Sequence, residues 1–288
     1  MSLIVKFPVM KTILLTWVRA VCLALLGYAV AAFGEGSTNV VVFKDKNLEK
    51  AVRRFVIMKK DTNEPLTEND LVNLSTVQGT GMEISDLSGL EKCLSLASLD
   101  LAKNRIKDLT LLKGLAKIQY LHLADNQIED VSPLAEIKAL QYLELSNNRV
   151  KDLKPLSGLT NMASLYLSGN LLTDVKPLLE MRRLSSLYLD DNKVKNIDGL
   201  DRLKGLSSLS LKNNGLSDIA PLEALSNLYY LFLEGNRIRD LTPLINAAKK
   251  DFEGQKRFAP FLNLYLKGNP VKASQKSRLK EYSVRLND

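Results

Sequence analysis

The side chains most able to do chemistry in this chain fall into columns. Asp86, Asp108, Asp130, Asp152, Asp174, Asp218 and Asp240 recur at multiples of 22 residues, with Asn196 filling the gap. A row of hard oxygen ligands could collect calcium. Each member, however, precedes a turn-forming stretch where a short carboxylate can cap free backbone N–H groups, so a capping role is expected. Cys93 could act as a nucleophile only beside a base, and the chain has a single histidine, His122. Cys93 shares a column with Leu115, Ile137, Leu159, Met181, Leu203 and Leu225, which places its thiol in the core. With one histidine, no Ser-His-Asp set and no histidine metal cluster can be assembled. The chain has no glycine-rich phosphate loop, and no pair of carboxylates stands apart from the rest. These residues point to no enzyme, no metal ion and no cofactor.

A second column is made of amides. Asn104, Asn126, Asn148, Asn170, Asn192, Asn214 and Asn236 recur every 22 residues, and Asn269 follows after one longer step of 33. A ligand site needs unlike groups converging, not one group repeated. An inward Asn side chain can satisfy several backbone groups of a buried turn, so all eight are assigned a structural role. Each closes the same phrase, as in Leu99-x-Leu101-x-x-Asn104-x-Ile106 and Leu187-x-Leu189-x-x-Asn192-x-Val194.

The elements that hold these columns follow from the spacing. Paired leucines at alternate positions specify a short strand with one buried face, and strands at a fixed sequence period must stack in parallel; eight are expected, from Leu99 to Leu264. The return half of each unit, as in Leu109-x-x-Leu112-x-x-Leu115, has a spacing of three that suits short 3₁₀ turns. Pro133, Pro155, Pro177, Pro221 and Pro243 share one column there, where a first helical turn has N–H groups to spare. A tight outer side and a hydrogen-bonded inner strand curve the coil. Asn47 to Met58 reads as an amphipathic helix, and Thr67 opens a second, short one through Leu74. The first coil is degenerate, with Met82 in place of the asparagine, as terminal repeats often are. Near the end, the added 11 residues between Ile245 and Phe261 predict a longer convex helix, followed by a capping helix over 274–282 and an edge strand over 284–287.

The concave side is read from the residue between the paired leucines: Asp100, His122, Glu144, Tyr166, Tyr188, Ser210, Phe232 and Tyr265. Two residues earlier the column runs Ser98, Tyr120, Tyr142, Ser164, Ser186, Ser208, Tyr230 and Asn263. Seven aromatics therefore face outward, with His122 and Glu144 beside them. Tyrosine buries area at low entropy cost in binding surfaces, so these residues are the candidate site. The competing explanation is that aromatic residues simply suit strands and stack across them. Asp190, Lys212, Glu234 and Lys267 would supply a mixed-charge rim.

The totals narrow the setting. Lys6, Lys11 and Arg19 precede the apolar run Ala20 to Phe33, which ends in Ala29-Val30-Ala31-Ala32, and no acid lies in the first 33 residues. That is the layout of a signal peptide cleaved near Ala31 or Ala32, too short for a permanent span. Removing those three bases from a net charge of +8 leaves about +5. The bases concentrate at the ends: between 61 and 244 there are 20 basic and 25 acidic residues, a balance that argues against nucleic acid. With Cys22 in the signal segment, Cys93 stands alone and no internal disulfide can form. A disulfide-free exported chain points to a bacterium and to a secreted, periplasmic or envelope location.

The 22-residue form Leu-x-x-Leu-x-Leu-x-x-Asn-x-Ile-x-Asp-Leu-x-Pro-Leu resembles the leucine-rich repeat proteins, and within them the internalin-like bacterial class. Asn47 to Arg53 and Leu66 to Leu71 are similar to the helical cap that precedes such arrays. The resemblance implies an α/β solenoid, a horseshoe with a parallel concave sheet, a 3₁₀ convex side and helical caps at both ends. Residues 1–32 would be the signal peptide, 33–70 the first cap, 71–270 the repeats and 271–288 the second cap. It further implies binding of a protein partner on the concave surface; the chain itself is expected to act as a monomer. The same class is similar to an intracellular regulator of protein phosphatase 1, and a purely structural envelope protein is a further alternative.

Overall fold

A computed structural model describes residues 39–254 and 257–287; the signal-like segment 1–32 and its cleavage lie outside the described residues. Among the described residues, no helix is long and apolar enough to cross a membrane.

The leucine phrase builds one parallel sheet of ten strands in chain order. The strands are β1 (Thr76–Gln78), β2 (Ser98–Asp100), β3 (Tyr120–His122), β4 (Tyr142–Glu144), β5 (Ser164–Tyr166), β6 (Ser186–Tyr188), β7 (Ser208–Ser210), β8 (Tyr230–Phe232), β9 (Asn263–Tyr265) and β10 (Arg285–Asn287). Eight carry the paired leucines; β1, in the degenerate first coil, and β10, in the stretch after the last repeat, are the edges. Leu99 pairs with Leu121, Leu121 with Leu143, and Leu231 with Leu264, so the 11 extra residues before β9 are absorbed without a slip in register. The strand leucines are fully buried, and truncating one would cost roughly 2–5 kcal/mol.

The asparagine column lies inside the coil turns. Asn148 Oδ1 accepts from the Ile128 N–H at 2.9 Å, while its Nδ2 donates to the carbonyls of Leu123, Leu145 and Ser146 at 2.9, 3.0 and 3.3 Å. One side chain thus ties two successive coils, and even the degenerate first coil is held, because Met82 N–H donates to Asn104 Oδ1 at 3.0 Å. The aspartate column borders the convex turns. Asp108 Oδ1 accepts from Thr110 N–H at 2.8 Å, Asp152 from Lys154 at 2.8 Å and Asp240 from Thr242 at 2.9 Å; Asn196 does the same for Asp198 at 2.7 Å. Short 3₁₀ turns follow, such as Thr110–Leu112, Ser132–Leu134 and Lys154–Leu156, the last two with proline in their first residues.

Among the described residues four helices complete the fold: α1 (Lys46–Arg53), α2 (Glu68–Leu71), α3 (Thr242–Phe252) and α4 (Ala273–Glu281). α1 buries Leu48, Ala51 and Val52 against the first coil. Its cap Asp45 bonds the N–H groups of Asn47 and Leu48 with one oxygen and Ser85 N–H with the other, at 2.8 Å, stitching cap to array. α1 ends five residues before the expected Met58. The Arg53 guanidinium donates to the carbonyls of Lys59, Thr62 and Glu64, folding the chain back at that point, and Ile57 and Met58 are left exposed. α2 likewise stops at Leu71 rather than Leu74, since Ser75 is already committed to the sheet edge through its carbonyl bonds to Ala97 and Ser98. At the far end, Leu279 of α4 is buried and Tyr282 rests on Phe252 of α3, with ring centroids 5.8 Å apart.

Candidate protein-binding face

The face of the sheet opposite the leucines carries both columns expected to bind. Because parallel strands in register bring like positions together, the outward aromatics meet ring to ring. Tyr120 and Tyr142 stack with centroids 4.4 Å apart and planes at 14°; Tyr142 then contacts Tyr166 at 5.3 Å, and Tyr166 stacks on Tyr188 at 5.0 Å. Tyr188 reaches Phe232 at 6.4 Å across β7, and Phe232 stacks on Tyr265 at 4.5 Å, with Tyr230 beside it at 6.2 Å. The seven candidates form one continuous ribbon over β3 to β9.

The ribbon changes column between Tyr142 and Tyr166, and the small residues explain how. Ser164, Ser186 and Ser208 take the earlier column on β5 to β7, leaving room for the rings from the next column to lean over them. Tyr188 Oη and Ser208 Oγ lie 2.8 Å apart. Burial, together with the neighbouring Tyr120 ring and Glu144, pushes the Tyr142 hydroxyl well above the usual phenol range; burial and Tyr188 raise Tyr166. Both are therefore neutral hydrogen-bonding groups at physiological pH. Tyr230 is the most open of the seven at 47% exposure; the rest are half-buried.

His122 and Glu144 belong to the same face but are already engaged. His122 Nδ1 lies 3.4 Å from Asp100, and Glu144 accepts from Ser146 N–H at 2.8 Å. The rim column is partly internal. Asp190 accepts from the buried Ser210 hydroxyl and from Lys212 N–H, and its half-buried position raises its carboxyl above the ordinary range. Lys212 Nζ sits 4.7 Å from the Phe232 ring centre and 3.4 Å from Glu234. Lys267 is exposed. Two further contributors are the serine notch at Ser208 and Ser210, which the ribbon bridges from Tyr188 to Phe232, and the Tyr229–Phe261 pair, 6.3 Å apart and exposed at the sheet's end. The serines were legible as gaps in the aromatic columns; the pair lies outside both columns.

Chemically, the face offers stacking, hydrogen bonding and a cation over a ring. Cys93, fully buried, has its thiol pushed up to about 12 by burial and is inert as a nucleophile. Among the described residues no group of three His, Cys, Asp or Glu could hold a metal ion.

A family model for leucine-rich repeats in two copies matches residues 94–136, 138–180, 182–224 and 204–246. Internalin C2 of Listeria monocytogenes is 32% identical, with a TM-score of 0.69 over 74% of this chain and 96% of that one. The chain belongs to the leucine-rich repeat family, in its internalin-like class. A second L. monocytogenes internalin, inlF, superposes with a TM-score of 0.73 at 29% identity, covering 86% of this chain and 72% of its own. A Leptospira interrogans leucine-rich repeat protein shares the fold at 22% identity and a TM-score of 0.62, covering 72% of this chain and 58% of its own. No curated protein matches at a significant level. Leucine-rich repeat proteins of this kind are typically protein-interaction modules, which agrees with a site made of surface aromatics.

Proposed function

We propose that this leucine-rich repeat protein is an exported, non-enzymatic binding module that engages a protein partner with its concave face. Residues 1–32 would direct export, and 33–70 and 271–288 would cap an array acting as a monomer in a bacterial envelope or secreted fraction. The observation that carries the reading is the unbroken ribbon from Tyr120 to Tyr265. Strand stacking alone would account for pairs within one column, but this ribbon crosses columns to stay continuous. A flat aromatic strip with hydroxyls at its edge supplies large contact area from few rotatable bonds. The Listeria internalins that the chain resembles, and the basic-then-apolar layout of its first 33 residues, support export from a bacterium.

The test is crosslinking capture from the native envelope with residues 33–288, comparing the natural chain with Tyr166→Ala plus Tyr188→Ala. The double variant should lose the partner while its melting curve stays close to the original. Loss of folding instead would assign the ribbon to stability, and capture unaffected by the change would remove the concave face from the interaction.

A further inference from the structure

A second surface shows a pattern with a longer period than the coil. Past each asparagine turn from Asn104 to Asn236, two surface positions straddle one buried apolar residue, and their identity alternates from coil to coil. Arg105 and Lys107, Arg149 and Lys151, Lys193 and Lys195, and Arg237 and Arg239 occupy every second coil. The coils between carry Gln127 and Glu129, Leu171 and Thr173, and Gly215 and Ser217. All eight basic side chains are exposed, while Ile106, Val150, Val194 and Ile238, which they straddle, are fully buried. The doublets therefore project from one flank, beside the sheet and distinct from its aromatic face.

Their spacing is fixed by the backbone. The N–H groups of Arg105, Gln127, Arg149, Leu171 and Lys193 donate to Ile84, Ile106, Ile128, Val150 and Leu172 of the preceding coils at 2.8 to 3.0 Å. With neighbouring strands about 4.8 Å apart, teeth on alternate coils stand about 10 Å apart, and four of them span about 30 Å. Little within the molecule answers this charge. Arg105 pairs with Glu83 at 2.8 Å and Arg149 with Glu129 at 3.7 Å. Among the described residues, no ion pair engages Lys107, Lys151, Lys193, Lys195, Arg237 or Arg239. Like charges held in file repel one another, and a bound polyanion relieves that repulsion.

The borders of the comb limit what can lie on it. Asp125 and Asp191 flank it toward the sheet, each held by the side-chain amide of Asn147 or Asn213 at 2.8 Å, and the aspartate column flanks it toward the convex side. A broad polyanion would meet these acids, whereas one narrow chain would pass between them. We propose that the comb binds a single linear acidic polysaccharide whose sulfate or carboxylate groups repeat at about 10 Å, matching alternate strands. A nucleic acid suits it less well. Single strands bind by stacking bases on aromatics, and no aromatic stands in these two columns. A membrane surface would call for several apolar anchors, and Leu171 is the one large apolar side chain among the positions named.

The experiment is calorimetric titration of the full chain with a heparin-derived octasaccharide over a series of NaCl concentrations. Replacing Lys193, Lys195, Arg237 and Arg239 by Ser should weaken binding roughly 100-fold at low salt and flatten the log K against log salt slope by about 3. All four are surface side chains, and an unchanged melt verifies folding. Replacing Lys113 and Lys117 by Ser, on the convex side, should change affinity less than about twofold. A transposed variant combines Lys193→Ser and Lys195→Ser with Leu171→Lys and Thr173→Lys, which keeps total charge while breaking the spacing; it should remain weak. Full recovery in the transposed variant, equal loss in the convex control, or tighter binding of duplex DNA or phosphatidylglycerol vesicles than of the octasaccharide would each overturn the proposal.

Discussion

The two faces of the sheet share one backbone and obey opposite rules. On the inner face, Leu99, Leu121, Leu143, Leu165, Leu187, Leu209, Leu231 and Leu264 repeat without variation and are fully buried. On the outer face the residue beside each of them changes at almost every strand, from Asp100 and His122 through Glu144, Tyr166 and Ser210 to Tyr265. Stacking imposes the first pattern, because every coil must present the same shape to its neighbours. Nothing in the stacking imposes the second. A column that is free to vary and still collects aromatics into a continuous strip is where a partner can have shaped the choice.

The contrast can be broken or sharpened by experiment. Leu143→Ala, on the inner face, should cost about 2–5 kcal/mol in denaturant melting, since coils on both sides must relax around the void. Asn148→Ala should cost about 1–3 kcal/mol, because the Ile128 N–H and the carbonyls of Leu123 and Leu145 lose their partner together. On the outer face, Tyr166→Ala with Tyr188→Ala should cost under about 1.5 kcal/mol while removing partner binding, the stacking between them being the main loss. A larger drop would erase the distinction between the faces. At the convex border, Asp152→Ala should cost about 1 kcal/mol through its capped Lys154 N–H.

The smallest effect is expected from acid. Hydrogen bonds from Ser88, Thr110 and Thr242 hold Asp86, Asp108 and Asp240 below the usual carboxylate range. A depressed folded-state pKa gives stability that is present above the unfolded value near 4 and is lost as pH falls through the folded value. Melting temperature should hold steady from neutral pH to about pH 5 and decline below about pH 4. Because Asp108 and Asp240 are exposed to solvent and Asp86 partly so, the decline should be shallow, and Asp240→Asn should make it shallower still.

Much of this was legible from spacing, because a 22-residue ruler assigns each side chain a direction. Cys93 was readable as core from the column it shares with Leu115, and the Asp column as caps from its place before each turn. The helix ends were not. Ile57 and Met58 continue an apolar pattern past Arg53, and only the guanidinium's bonds to Lys59, Thr62 and Glu64 show why the chain turns away from it. Within the candidate face the residues were readable but their engagement was not: His122 beside Asp100, Glu144 on Ser146 N–H and Lys212 over Phe232 depend on rotamers that a period cannot reveal. The alternating basic doublets have twice the coil's period, so the leucine and asparagine columns, which are alike in every coil, give no sign of them.

That alternation has a consequence for how such a chain can change over generations. An in-frame loss of one coil, such as residues 127–148, would leave the leucine and asparagine columns in phase, since each coil contacts only its neighbours. The same event would bring Arg149 and Lys151 next to Arg105 and Lys107 and would remove Tyr142 from the ribbon. A single deletion or duplication can therefore retune two surfaces at once while leaving the scaffold's own grammar intact.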